Sequence, residues 1–283
     1  VSQGPAERRP SQPRRPTFRA LGKDDPPAEV TIAGQAHRRI TIFKHDSWAA
    51  TALYDGPAGK VVCKFNRQQS ILGVPMRWLG RWLAQHETYV LTRLQDLPHV
   101  PRVIGPVYAS GSRLDNVCAH QYVEGHPLAR QERVSPRFFD CLADTLRALH
   151  QRGLAYVDLH KRENILVGDD GEPCLCDFQI SFALPKRFPG MTQPMQAWLH
   201  ILQQADWYHL DKHRRSSLSN GQAPPLAPPW FIRVHRLIGK RFRSLRRGLL
   251  VALGMRSGAG RAETEHFAED AVRRMLEDRQ RAA

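Results

Sequence analysis

The alternation of apolar and polar positions divides the chain into early strands, two helices and a late hairpin. Arg39-Ile40-Thr41-Ile42-Phe43, Ala50-Thr51-Ala52-Leu53-Tyr54 and Lys60-Val61-Val62-Cys63-Lys64-Phe65 read as three strands. The turn chemistry of Asp55-Gly56-Pro57-Ala58-Gly59 joins the last two. Leu79, Leu83, Glu87, Val90, Leu91 and Leu94 recur at three- and four-residue steps, which predicts a helix with one apolar stripe. Residues 66–80, with Gly73 and Pro75 inside, form a long connection before it. Two more strands are expected over residues 102–109 and 116–123, followed by a link at Glu124-Gly125-His126-Pro127-Leu128. Ser135-Pro136 puts a hydroxyl at a helix N-cap and proline in the first turn, and Gly153 marks the stop. Between them Phe138, Leu142, Leu146 and Leu149 give a buried stripe. Finally, Glu163-Asn164-Ile165-Leu166-Val167 and Pro173-Cys174-Leu175-Cys176 read as strands around the turn Gly168-Asp169-Asp170-Gly171.

Two positions break the apolar pattern. Lys64 lies in a strand of apolar residues, and Glu87 interrupts the helix stripe. A carboxylate on a core-facing stripe is costly unless paired, so Glu87 calls for a cation, and Lys64 is the natural candidate. The late hairpin returns Asp177 to the neighbourhood of Asn164, in the same region as Asp158 and Lys161 of Tyr156-Val157-Asp158-Leu159-His160-Lys161-Arg162-Glu163-Asn164. Two acids, a lysine and an amide suit phosphoryl transfer. One acid deprotonates the attacking hydroxyl, the lysine steadies the phosphate, and the amide with the second acid holds Mg²⁺, which takes few protein ligands.

With these residues in this order the chain resembles the protein kinase-like superfamily, whose catalytic loop reads H-R-D-x-x-x-x-N and whose metal loop reads D-F-G. The resemblance runs from about residue 38 to residue 215. It implies an α+β, two-lobed kinase-like fold, with a small antiparallel-sheet N-lobe and hinge over 31–125 and an abbreviated helical C-lobe over 126–218. By the same resemblance Asp158 is the catalytic base and Lys161 contacts the transferring phosphate. Asn164 and Asp177 become ligands of Mg²⁺ or Mn²⁺, and Lys64, held by Glu87, meets the α and β phosphates of ATP. Ser47 falls near the phosphates, and Gln121 and Val123 fall at the hinge that faces adenine. The departures are Tyr156-Val157 for His-Arg, Gln179 for the last Gly, one extra residue between Asp158 and Asn164, and residues 45–51 in place of G-x-G-x-x-G. No A-P-E follows Asp177, and the shortened C-terminal part looks more like the lipopolysaccharide core (Kdo and heptose) sugar kinases and the RIO-type kinases than like ordinary protein kinases. These families imply transfer of the γ-phosphoryl of ATP to a hydroxyl of a core sugar or of a protein Ser/Thr. The alternative from another class is a pseudokinase that holds nucleotide or a partner without turnover.

Composition bounds the partners. The 283 residues carry a net charge of +15, which favours anionic partners. The Pro- and Arg-rich residues 1–30 read as a disordered basic arm without the apolar core of a signal peptide. Residues 219–229 form a Pro-rich linker to an extension over 230–283. In that extension Trp230, Phe231, Val234, Leu237, Ile238, Leu245 and Leu249 recur at helical spacing among many arginines. Such a basic amphipathic helix either lies on an anionic membrane surface or packs on the domain with a solvated basic face. The expected location is the cytoplasm, either free or peripherally at the inner face of the membrane, and no specific nucleic acid partner is expected. The 5 cysteines (Cys63, Cys118, Cys141, Cys174, Cys176) are odd in number and lack C-x-x-C spacing, which argues for free thiols and against a disulfide framework or zinc. His160 receives no role.

Overall fold

The computed structural model describes residues 19–71, 73–129, 132–184, 192–218 and 227–233, and these make an α+β structure. The first part is a seven-stranded antiparallel sheet in the order β6-β5-β1-β2-β3-β4-β7. Its strands are β1 (Glu29–Ile32), β2 (Gln35–His45), β3 (Ala49–Asp55), β4 (Val61–Asn66), β5 (Val107–Ala109), β6 (Ser112–Arg113) and β7 (Val117–Gln121). Helix α1 (Arg77–Arg93) sits between β4 and β5 in the chain and packs on β4 and β7.

The sheet curls into a half-barrel, and one segment shows how. The single strand expected over 102–109 is split at Gly105, whose φ of 146° suits only glycine, and at Pro106, which lacks an N–H. Before the break, the Gln121 N–H donates to the Arg102 carbonyl (2.8 Å) and the Ile104 N–H to the Ala119 carbonyl (3.1 Å), so this piece adds to β7. After it, β5 pairs antiparallel with β1. One stretch of chain thus touches both ends of the run β1-β2-β3-β4-β7, which a flat sheet would keep far apart.

Helix α1 turns a different face inward from the one its leucines suggest. Leu79 and Leu83 are only half-buried, while Gly80, Ala84, Glu87, Val90 and Leu91 are buried. The small residues face in because the backbone of Arg67 passes close by. A Cβ built on Gly80 would lie 2.1 Å from the Arg67 carbonyl oxygen.

The second part consists of β8 (Gly125–Pro127), α2 (Pro136–Gln151), β9 (Leu154–Ala155), β10 (Ile165–Gly168), β11 (Pro173–Leu175), β12 (Phe182–Ala183) and α3 (Thr192–Leu218). Helix α2 begins as expected, with the Ser135 hydroxyl accepting from the Phe138 N–H at 3.2 Å. Phe138, Leu142, Leu146 and Leu149 are fully buried in a core shared with Tyr156, Leu159, Ile165, Leu175 and Phe178. The link after β7 is partly a strand: β8 pairs with β10, and Gly125 is required there, since a Cβ would meet the Val167 carbonyl oxygen at 2.2 Å. Helix α3 was not legible from apolar spacing, because its inward face mixes Leu199 and Leu210 with the buried polar residues Asp206, His213 and Ser217.

Residues 19–30, expected to belong to a disordered arm, are part of the fold. Ala20 and Leu21 are buried, and the Ala20 N–H donates to the Asp46 carbonyl at 2.8 Å. Of the expected basic arm residues 1–18, of the expected linker residues 219–226, and of the expected amphipathic extension the residues beyond Arg233 lie outside the described residues. Among the described residues no helix is long and apolar enough to cross a membrane.

Candidate functional site

Strand β4 is buried along its whole length, so a lysine there must take its charge to a partner inside the protein. The Lys64 ammonium lies 3.3 Å from Glu87 Oε1 on α1 and 2.6 Å from Asp177 Oδ1 beyond β11. The sequence-level pairing of Lys64 with Glu87 is therefore present, and Asp177 completes a three-group cluster. Burial by itself would lower the lysine pKa, but Asp177 and Glu87 outweigh it and hold the ammonium protonated well above its usual range. Burial pushes Glu87 up, Lys64 pulls it back and Asp177 adds to the rise. Burial also opposes the ionised form of Asp177, yet the Lys64 cation leaves that carboxyl below its usual value.

The loop from Tyr156 to Asn164 is built around Asp158, which is 1% exposed. Asp158 Oδ2 accepts from Lys161 Nζ at 2.8 Å and from Asn164 Nδ2 at 3.0 Å. Asp158 Oδ1 accepts no hydrogen bond among the described residues, although His160 Nδ1 stands 3.2 Å from it. The extra residue in this loop is absorbed without separating the three groups: Leu159 turns into the core and His160 turns outward. The Lys161 N–H then closes back on the Asp158 carbonyl at 3.2 Å, and a 3₁₀ turn over Arg162–Asn164 follows.

The β10–β11 hairpin sets the remaining acid beside this loop. The Cys176 N–H donates to the Asn164 carbonyl at 3.0 Å, which brings the next residue, Asp177, alongside. Asp177 takes a left-handed conformation (φ 60°), a state that aspartate tolerates better than most residues but that still costs on the order of 1 kcal/mol. It is over-determined by Phe178, which is fully buried and packs edge-on against Tyr156 at 5.0 Å, while the Tyr156 hydroxyl donates to the Cys176 carbonyl. Lys161 is desolvated, yet Asp158 and then Asp177 hold its ammonium above the usual lysine range. Lys161 and Asp177 keep 41% and 35% of their side chains exposed, so the cluster is reachable from solvent.

The sites expected at the periphery stand apart from this cluster. Ser47 lies in the turn between β2 and β3, where its carbonyl accepts from Arg67 Nη1 at 2.5 Å. The backbone N–H groups of Trp48 and Ala49 in that turn donate to Asp46 Oδ1 at 2.7 and 2.9 Å, so a carboxylate of the chain occupies the place an anionic ligand would take. The Gln121 N–H is committed to the Arg102 carbonyl. The Val123 backbone, in the link between β7 and β8, makes no backbone hydrogen bond among the described residues. The larger surface groove, about 330 Å³ among Ala84, Thr88, Tyr89, Gly105, Leu114 and Val117, includes none of the clustered residues.

Asp206 was missed by sequence reasoning and is central to the geometry. It is fully buried on α3 and accepts the Tyr156 N–H on Oδ2 and the Val157 N–H on Oδ1, both at 2.8 Å, with His150 Nε2 3.0 Å from Oδ2. Val157 is left-handed (φ 72°), an unfavourable state for a β-branched residue that these two bonds stabilise. The available signal was an acid between the apolar positions Leu199 and Leu210. Asp206→Asn keeps one acceptor oxygen and points an amide at one of three donors, so it should destabilise the protein by about 1–3 kcal/mol in urea titrations and slow any turnover.

His213, also on α3, supports the same loop from below. Its Nε2 lies 2.7 Å from the Leu159 carbonyl, while the buried Nδ1 has no hydrogen-bond partner among the described residues. Burial, with a smaller share from Arg162, Lys212 and His160, lowers its pKa from 6.5 to about 4. Above pH 6.5 the ring is neutral in both states. Between there and about pH 4 the unfolded chain takes a proton that the folded protein refuses, so stability falls with falling pH by up to about 3 kcal/mol. Urea titrations of His213→Gln, which keeps a donor to Leu159, should show a smaller difference between pH 7 and pH 5 than the parent shows.

Comparison with protein-family models and with curated proteins returns no match.

Proposed function

We propose that the chain is an ATP-dependent phosphotransferase of two-lobed, kinase-like fold that transfers the γ-phosphoryl group to a hydroxyl. The observation that carries this reading is the convergence of Lys64, Glu87 and Asp177 beside the group formed by Asp158, Lys161 and Asn164. On this reading the half-barrel sheet would serve as the N-lobe and the segment from β8 to α3 as the short C-lobe.

Each residue then has a task its surroundings permit. The acceptor hydroxyl donates to Asp158 Oδ1, the oxygen left without a hydrogen bond, and that carboxylate takes its proton as the oxygen attacks phosphorus. Lys161, ionised and partly exposed, offsets the negative charge gathering on the phosphoryl oxygens. Lys64 turns from Asp177 to the α and β phosphates while Glu87 keeps it in place. The partly exposed Asp177 and the buried Asn164 offer hard oxygen donors, a set that fits Mg²⁺ or Mn²⁺. Such an ion, when bound, supplies charge neutralisation on the β and γ phosphates. The free backbone groups of Val123 suit the adenine edge.

The acceptor we favour is a core sugar of lipopolysaccharide, because among the described residues only β12 and α3 are named elements after Asp177 and the protein is strongly basic. A protein Ser/Thr acceptor, as in RIO-type kinases, is the runner-up. Incubation with γ-labelled ATP, lipopolysaccharide core acceptors and general protein substrates separates the two, with label expected on the sugar. One observation favours a pseudokinase instead: Asp46 fills the turn where phosphate would meet backbone N–H groups. ATP binding without label on any acceptor, or on water, would establish that alternative.

A further inference from the structure

Away from the proposed catalytic cluster, three elements bring His99, Cys141 and Glu172 together so that one ligand atom from each lies within 4.8 Å of the others. His99 is in the loop after α1, Cys141 is on α2, and Glu172 ends the turn between β10 and β11. The backbone around them is set by separate contacts. The Leu175 N–H donates to the His99 carbonyl at 2.9 Å, which ties the loop to β11, and the Glu172 N–H donates to Asp170 Oδ1 at 3.0 Å, which fixes the turn. Glu172 Oε2 is buried and has no hydrogen-bond partner among the described residues, whereas Oε1 lies 3.4 Å from Arg137 Nε. A buried carboxylate oxygen without a partner carries a desolvation penalty that a cation beside it removes.

We propose that His99, Cys141 and Glu172 form a site for a zinc-class transition metal. An imidazole nitrogen, a thiolate and a carboxylate are a mixed, borderline-soft set that suits Zn²⁺ and does not suit Mg²⁺ or Ca²⁺. Tetrahedral coordination with bond lengths near 2.0–2.3 Å needs ligand atoms roughly 3.6 Å apart, so modest side-chain rotation closes the present group. Three protein ligands leave a fourth position for water. Cys141 binds as the thiolate and releases its proton to solvent. The spacing of the cysteines gave no hint of this, because the ligands come from elements far apart in the chain.

The ion ties the loop after α1 and helix α2 to the closed end of the β10–β11 hairpin, whose open ends carry Asn164 and Asp177. Three to four strand residues, roughly 10 Å or more, separate the two ends. The site therefore stands whether or not the chain transfers phosphate.

Full-length protein without a histidine tag, stripped with chelator, is titrated with Co²⁺ and then Zn²⁺. The expected result is a thiolate-to-cobalt charge-transfer band with four-coordinate visible bands, saturating at one ion per chain and bleached by Zn²⁺. Cys141→Ser should lose the charge-transfer band, and His99→Ala should bind at least about tenfold more weakly. Zn²⁺ should also protect Cys141 of the unaltered protein from alkylation, mapped by peptide mass, which covers the case of a variant that does not fold. No thiolate band at saturating Co²⁺, a band that survives Cys141→Ser, or alkylation of Cys141 unaffected by Zn²⁺ would each overturn the proposal.

Discussion

Asp158→Asn should lower the rate constant for phosphoryl transfer by about 10²- to 10⁴-fold while ATP binding stays close to that of the parent. The substitution preserves size and burial, so the change falls on chemistry. In the parent, the Lys161 ammonium and the Asn164 amide both donate to Oδ2, and among the described residues no group is hydrogen-bonded to Oδ1. That asymmetry leaves one oxygen able to accept a proton. Asparagine presents either an amide nitrogen, which cannot accept, or a weakly basic carbonyl oxygen. Single-turnover measurements with saturating ATP isolate the chemical step from binding and release. Transfer at the parental rate would remove Asp158 from the role of base and with it the proposed mechanism.

Lys64→Met should destabilise the protein by about 3–5 kcal/mol and abolish detectable transfer. The side chain is nearly isosteric, so packing changes little, but Glu87, 1% exposed, loses its cation and still faces Asp177. An uncompensated buried carboxylate is among the most costly defects a core can carry. The pH dependence follows from the sign of the shift. Without Lys64, burial raises the folded-state pKa of Glu87 above the unfolded value, so the folded protein binds a proton that the unfolded chain releases. Stability of the variant therefore falls as pH rises, and its deficit against the parent should be larger at pH 8 than at pH 5 in urea titrations. The double variant Lys64→Met/Glu87→Leu removes the buried charge and should regain most of the stability without regaining transfer. A deficit that is flat with pH, or no rescue in the double variant, would mean that Lys64 stabilises through its methylenes and not through its charge.

Helix α2, the central strands β2, β3 and β4, and the β10–β11 hairpin were legible because the signals are local. Ser135-Pro136 caps a helix and Gly168–Gly171 turns a hairpin whatever lies elsewhere in the protein. The pairing of Lys64 with Glu87 was legible for a related reason, since one charge in a buried strand and one on a buried helix stripe each demand a partner. Asp206 was not, because its partners are backbone N–H groups, which every residue possesses and no pattern marks.

By itself, the order of apolar, polar and turn-forming residues determined most of the strands and the first two helices, and which charged and polar side chains the interior has to accommodate. Tertiary structure alone decided how those chemistries meet: the split of 102–109 between two sheet edges, the small-residue face of α1 against Arg67, and the left-handed Val157 and Asp177 held by contacts from distant elements. The reason is the range of the forces. Periodicity and capping act over a few residues, whereas burial of a polar group is resolved only when an element from another part of the chain arrives to pair with it.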